Sequence, residues 1–435
     1  MDIAGVLSLA TQHHQAGRLA QAQALYREVL KADADNADAL HLLGVLASQV
    51  GEHQQALALI ERAIQQSPQS PQFHASLAGV LHALGEIDQA LAALTRAHQI
   101  DPSDVVVLTN RGALRQERGR LDEAVADYRR AVELNPSYAD AYYNLATALK
   151  DLGKLDEAIA ALRRVVEIRS DSAHEHVVLA GYLLERGDFE SALQACDSAL
   201  KLTPFHIRAL AFKSAALTGL GRHEALRMLV DCDRLVAQRR VSPPSEFSSL
   251  GEFNAALVNH VRNHPSMIRD PIEGATRGGD HTEELLVEPK GPFTLFERIV
   301  NDAVSDYLQT LPSDPTHPYL AHRPRRWQLT VWGVVLRAQG HQIAHMHPGG
   351  WVSGVYYAKL PAVVNSRADQ PAGWIEFGRP PEEFGSRAKP DVQLVRPEEG
   401  LLLLFPSYVY HRTLPYESPD ERVSIAFDAL PEFGG

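Results

Sequence analysis

Gly119-Arg-Leu-Asp-Glu-Ala124 returns 34 residues later as Gly153-Lys-Leu-Asp-Glu-Ala158. Working outward from this pair, the glycine recurs in the same register at Gly17, Gly51, Gly85, Gly187 and Gly221. Five residues after the first six glycines stands an alanine: Ala22, Ala56, Ala90, Ala124, Ala158 and Ala192. Pro68, Pro102, Pro136 and Pro204 follow four of them by 17 residues. Only 29 of the 435 residues are glycine, so seven in one register mark an internal repeat. Each repeat reads as two helices. Glycine allows the turn between them, alanine lets them pack closely, and proline stops the second because it has no amide hydrogen to donate. One such hairpin cannot bury its own apolar face, so neighbours must stack into a solenoid.

These residues resemble the tetratricopeptide repeat over residues 1–235, with the first and last repeats matching least, as capping repeats do. The resemblance implies an all-α superhelix whose first helices line a concave, partner-binding face. Asn110 and Asn144 occupy the same point of successive repeats. In the family an asparagine there binds the backbone of an extended peptide; an asparagine that simply faces water is the plainer alternative. A protein or peptide partner is therefore expected through the repeat groove.

The periodicity ends after Leu235, and Val241-Ser-Pro-Pro-Ser-Glu246 has the look of a connector, placed over 236–250. A second domain is expected over 251–435. It begins with amphipathic helices near Phe247–His264 and Phe293–Leu311. From Trp327 the apolar period becomes two. Strands are predicted at Trp327–Leu336, Val352–Leu360, Gly373–Phe377, Val392–Val395, Leu401–Phe405 and Arg422–Phe427. Short antiparallel strands behind two helices imply a barrel or sandwich braced by helices.

Three features of this region belong together. His345-Met-His347 has the spacing that puts both imidazoles on one face of a strand. His174-Glu-His176 has the same spacing within helical-repeat sequence, where the rings diverge, so spacing alone means little. His411 follows the apolar run Leu401–Phe405, and Arg422-Val-Ser424 opens the last strand. Neutral imidazole suits iron, and three facial ligands leave positions open for a co-substrate and oxygen. Arginine offers a planar fork for a carboxylate, and Ser424, two residues on, faces the same way.

The segment Trp327–Leu430 resembles the double-stranded β-helix (jelly roll) of Fe(II)- and 2-oxoglutarate-dependent oxygenases. It is closest to a bacterial branch marked by His345-Met-His-Pro348 and Ser353-Gly-Val-Tyr-Tyr357, and is also similar to the prolyl hydroxylase pattern. The resemblance implies iron ligation by His345 and His411, and binding of the distal 2-oxoglutarate carboxylate by Arg422 with help from Ser424 and Tyr357. It implies Fe(II), 2-oxoglutarate and O2 as cofactor and co-substrates, and a dioxygenase that hydroxylates an unactivated C–H bond. His347 stands where the family usually has a carboxylate. Direct ligation by His347 is the favoured reading; the alternative makes it an outer partner, with water or a carboxylate such as Glu376 completing the set. Trp351, Tyr356 and Trp374 could shield the site or simply pack.

Two other classes compete. Gly340, the histidine pair, Gly400, Pro406 and His411 imitate the two motifs of a cupin metalloenzyme, but Trp351 and Val352 stand where its glutamate is expected, and Arg422-x-Ser424 has no cupin purpose. A non-catalytic adaptor, with repeats that bind partners and a relic barrel, is the other.

Composition narrows the remaining classes. An apolar fraction of 45% with 22% charged residues rules out wholesale disorder. The net charge of −12 is shared, with 25 basic and 30 acidic residues in 1–240 and 17 and 24 beyond, so nucleic acid is not an expected partner. The basic run Arg323-Pro-Arg-Arg326 reads as a solvated turn. Cys196 and Cys232 cannot form a disulfide framework or a thiolate metal site. No secretory signal or membrane-spanning run is apparent, so a cytoplasmic location is expected.

Overall fold

In the computed structural model the described residues are 2–271, 274–366 and 371–432. The chain divides into two compact units, residues 1–170 and 171–435.

The first unit is built of helix pairs such as Ala139–Asp151 with Leu155–Ile168. All seven repeat glycines have positive φ, between 65° and 83°. Nothing lies within 4 Å of where a Cβ would stand on any of them, so the turn needs glycine for its backbone and not for space. At Gly153 the turn is a closed helix cap. Gly153 N–H donates to Lys150 O and Lys154 N–H to Leu149 O, each at 2.8 Å, satisfying carbonyls that the helix end leaves free. Ala22, Ala56, Ala90, Ala124 and Ala158 are fully buried where the paired helices touch.

The second unit opens with helices Ala173–Arg186, Phe189–Leu202 and Ile207–Gly219, which keep the repeat pattern, and then turns to sheet. The sequence places the domain border near 236–250, whereas the compact division falls 65 residues earlier, at Ser170/Asp171. The reason is local bonding. The ends of the last repeat helices are satisfied by the sheet domain: Tyr408 Oη and His317 Nε2 both reach Leu229 O (2.6 and 3.2 Å), and Tyr307 Oη reaches Leu235 O (2.7 Å). The rings of Phe212 and Phe384 meet edge to face at 5.9 Å.

The strands are β1 (Ala237–Arg240), β2 (Ile268–Arg269), β3 (Thr276–His281), β4 (Arg326–His345), β5 (Val352–Lys359), β6 (Ile375–Phe377), β7 (Gln393–Val395), β8 (Leu401–Pro406), β9 (His411–Thr413) and β10 (Arg422–Glu432). Their order is β1-β8-β5-β10-β4-β9-β6-β7, with β3 also on β4 and β2 on β3, and every pairing is antiparallel. This curled sheet is the jelly roll that the sequence implies. β1 lies inside the segment read as a connector; its half-buried Ala237 and Arg239 extend the edge of β8. The predicted helices appear as Leu250–Asn263, capped by the Ser249 side chain, and Phe293–Thr310. Both brace the sheet, with Phe296 against Tyr356 at 5.4 Å.

β4 makes the site possible. Its first half, Arg326–Leu336, pairs with β10, while Gln342 and His345 pair with β9. Between them Gln339 takes a φ of 63°, and a Cβ on Gly340 would come within 2.6 Å of Gly278 O and 2.7 Å of Arg337 O. That corner lets one strand serve two parts of the curled sheet, so residues carried by β4, β9 and β10 face one interior. Among the described residues no helix is long and apolar enough to cross a membrane.

Candidate functional site

His345 ends β4, His411 begins β9, and the two are direct cross-strand partners. His347 lies just beyond β4, where its backbone N–H donates to Ser407 O at 3.0 Å. Ring centroids are 4.3 Å apart for His345–His411, 5.1 Å for His347–His411 and 5.2 Å for His345–His347. One nitrogen from each ring lies within 4.8 Å of the other two, the spacing of a metal-ligating group.

The tautomers follow from the outer partners. Nδ1 of His345 lies 2.8 Å from Ile343 O, Nδ1 of His411 lies 3.1 Å from Val409 O, and Nδ1 of His347 lies 2.6 Å from Asp428 Oδ1. A carbonyl or carboxylate can only accept, so each Nδ1 donates, which in a neutral ring leaves the lone pair on Nε2. Burial pushes the pKa of His345 down to about 4, helped by the neighbouring His347, and that of His411 well below its ordinary value. These rings are neutral at physiological pH, as metal ligands must be.

Arg422, Ser424 and the three histidines line one cavity of about 210 Å³. On β10 alternation turns Arg422, Ser424, Ala426 and Asp428 to one face. Across the ladder Ser424 pairs with Tyr357 of β5 and Val334 of β4, and Asp428 pairs with Ser353. Arg422 is 2% exposed. Its Nη1 donates to Gly373 O at 2.6 Å, and its guanidinium carbon lies 5.0 Å from the Tyr357 ring centroid. Among the described residues its buried Nε has no hydrogen-bond partner, and the buried Tyr357 hydroxyl has only the Arg422 guanidinium beside it. Burial lowers the Arg422 pKa and pushes the Tyr357 hydroxyl up to about 12.

The structure thus brings His345, His347, His411, Arg422, Ser424 and Tyr357 together. It takes Glu376 away. Glu376 pairs with Arg412, whose side chain leaves β9 on the face opposite His411, and it accepts from Arg412 Nε (2.7 Å) and Arg379 Nε (2.6 Å). It cannot complete the ligand set in place of His347. Of the two roles open to the aromatics, the structure shows packing. Trp351 stacks on Tyr319 at 4.0 Å and Tyr356 packs on Phe296, while Trp374 Nε1 donates to Val364 O. The cavity walls are instead Trp332 and Phe405, 5.4 Å from the His347 ring and 4.6 Å from the His411 ring. The sequence assigns no role to Asp428, Ser353 or Ser407. Asp428 had a signal, since it lies on the Arg422 face of β10 by strict alternation. Ser353 opens the Ser353–Tyr357 motif, and Ser407 had no signal.

Asn110 and Asn144 sit on first helices of their pairs, Val105–Glu117 and Ala139–Asp151, one exposed and the other half-buried.

Residues 330–428 match the family model described as "Putative 2OG-Fe(II) oxygenase". Residues 13–80, 47–109 and 139–172 match models described as "Tetratricopeptide repeat", and 114–153 one described as "TPR repeat". Among curated proteins none matches the chain. Similar solved structures include MamA, at 22% identity over 37% of this chain and 94% of that one, TM-score 0.35. YrrB, titled "a TPR protein with an unusual peptide-binding site", is similar at 24% identity over 39% and 88%, TM-score 0.34. A thermophilic TPR protein of Thermus thermophilus gives 24% over 42% and 99%, TM-score 0.36. The chain thus joins tetratricopeptide repeats to a domain, built around the histidine cavity, that matches the model described as "Putative 2OG-Fe(II) oxygenase".

Proposed function

We propose that this protein is an Fe(II)- and 2-oxoglutarate-dependent dioxygenase that hydroxylates a protein or peptide recruited by its repeats. In this reading residues 1–235 recruit and 251–435 catalyse. One juxtaposition carries it: three imidazole Nε2 atoms and a buried guanidinium with no carboxylate partner among the described residues open on a single cavity. A buried cation without a counter-ion is costly, and an anionic ligand relieves that cost.

His345, His347 and His411 would hold the iron through Nε2. Arg422, with Ser424 and the Tyr357 hydroxyl, would hold the distal carboxylate of 2-oxoglutarate, the unpaired Nε and hydroxyl supplying donors that the fold leaves unused. Bound iron with 2-oxoglutarate and O2 supplies the chemistry, decarboxylation to succinate coupled to hydroxylation of a C–H bond. The chain's own part is placement and exclusion of water. Trp332 and Phe405 wall the cavity beside the imidazoles, and the carbonyls of Ile343 and Val409 stop two rings from turning. Asn110 and Asn144 would bind the backbone of the incoming segment on the repeat face.

The decisive experiment is anaerobic titration with Fe(II) and 2-oxoglutarate, followed by succinate analysis under air. A visible charge-transfer band and succinate formation, both lost in His411→Ala, are expected. Metal binding without 2-oxoglutarate turnover would favour the cupin alternative, and partner binding that persists with neither would favour the adaptor.

A further inference from the structure

The three histidines are not equivalent. His345 and His411 donate Nδ1–H to neutral backbone carbonyls, whereas His347 donates to a carboxylate, at 2.6 Å. Building on the ferrous site proposed above, we infer that Asp428 is a positioning residue: it fixes His347 as the third ligand and lends it, through the Nδ1–H bond, negative charge that a ligating carboxylate would place on the ion directly.

The surrounding atoms are arranged to hold this pair. Ser353 Oγ lies 2.6 Å from Asp428 Oδ1 and 2.8 Å from Ser407 Oγ, and both serines are fully buried. The backbone of Ser407 in turn accepts from His347 N–H, and Trp351 N–H donates to Ala429 O at 2.9 Å. The segment from His347 to Trp351 is thereby tied at one end to Ser407, just past β8, and at the other to β10, which carries Asp428. It fits without slack, since a Cβ on Gly350 would come within 2.5 Å of Ser407 Oγ and 3.2 Å of Asp428 Cγ. Asp428 is 9% exposed, and His347 is the only basic side chain its carboxylate meets among the described residues.

Charge explains why a carboxylate belongs there. Three neutral imidazoles leave both positive charges of a ferrous ion uncompensated, and Arg422 adds a third to the same cavity. A carboxylate hydrogen-bonded to the far nitrogen of a ligating imidazole would offset part of that charge and make the imidazole a stronger donor. The hydrogen bond also fixes the tautomer that leaves Nε2 free, which a freely turning ring would not guarantee.

The test is a double-mutant cycle read by anaerobic Fe(II) titration of the full chain, without turnover. Asp428→Asn keeps the shape and removes the charge; it should weaken Fe(II) binding roughly 10–100-fold. In a His347→Asp background the ligand carries its own charge, and a second carboxylate beside it repels. There Asp428→Asn should leave affinity unchanged or improve it. An equal loss in both backgrounds would mean that Asp428 only supports packing, and would overturn the inference. Should the His347→Asp protein not fold, the d–d absorption of Co(II)-loaded protein decides. The band should shift between wild type and D428N as donor strength changes, and an unmoved band overturns the proposal. His345→Ala separates the two levels. If it binds Fe(II) like wild type, the ferrous reading itself falls and takes this inference with it; if it loses the metal while D428N binds normally, the inference alone falls.

Discussion

The guanidinium of Arg422 lies 5.0 Å from the centre of the Tyr357 ring, yet among the described residues the buried Arg422 Nε has no partner and the buried Tyr357 hydroxyl meets no other protein group. The ring shields the cation's face, and of its edge donors Nη1 is held by Gly373 O while Nε stays free. Such an arrangement is unfavourable for the empty fold and favourable for one that binds an anion.

Arg422→Met should therefore separate stability from function. Without ligands its melting temperature should equal or exceed that of wild type, because a buried unpaired charge is gone. Its KM for 2-oxoglutarate should rise by about two orders of magnitude, the loss expected for a charge-assisted pair of about 2–3 kcal/mol. Tyr357→Phe should raise the same KM by about fivefold, for one hydrogen bond near 1 kcal/mol. An Arg422→Met protein that melts well below wild type with an unchanged KM would show the guanidinium to be structural.

Glu376 and His411 offer a paired control. Glu376 is 4% exposed, and although burial raises its pKa, the hydrogen bonds from Arg379 and Arg412 outweigh that and hold it ionised. Glu376→Gln should lower stability by about 1–3 kcal/mol and leave the Fe(II) affinity alone. His411→Ala should abolish Fe(II) binding. Differential scanning calorimetry with and without metal reads both, and a Glu376→Gln variant that lost iron would reopen the ligand assignment.

Gly153 tests the repeat turn. With φ at 74° and open space around the missing Cβ, Gly153→Ala should cost about 1 kcal/mol, and Gly153→Asn less, since asparagine tolerates that conformation. Urea unfolding would show it, and equal midpoints for all three proteins would contradict a backbone origin.

His41, in the helix Ala37–Gln49, predicts a pH dependence of the repeats. Its ring is stacked on Phe73 at 4.5 Å, and Nε2 lies 2.8 Å from Ser76 Oγ. Burial lowers its pKa to about 4, outweighing the opposite pull of Asp38. The unfolded chain, titrating near 6.5, then takes up the proton first. The contribution is complete above pH 6.5 and is lost as pH falls toward 4. His41→Leu should flatten this part of the stability profile; melting temperatures across pH 4.5–7.5 that fall equally in both proteins would contradict it.

The repeats were legible because their information is local. A 34-residue register of glycine, alanine and proline specifies a turn, a close contact and a stop, each decided within one hairpin. The last strand was legible for a similar reason, since alternation alone sets Arg422 and Ser424 on one face. The same rule could have added Asp428, and it excludes Glu376 once Phe377 is known to pair with His411. β1, β2, β3 and β9 were missed. They are short or polar, and pairing with distant strands holds them, so no local pattern announces them.

By itself, then, the sequence determined the repeat architecture, the change to period two after Trp327, and the residue types able to hold a metal and a carboxylate. Tertiary structure decided which of 20 histidines converge and which carboxylate serves them. That choice depends on β4 turning a corner at Gln339–Gly340 and pairing with β10 on one side of it and β9 on the other. A strand's periodicity says which face a side chain takes; only long-range pairing says what stands opposite.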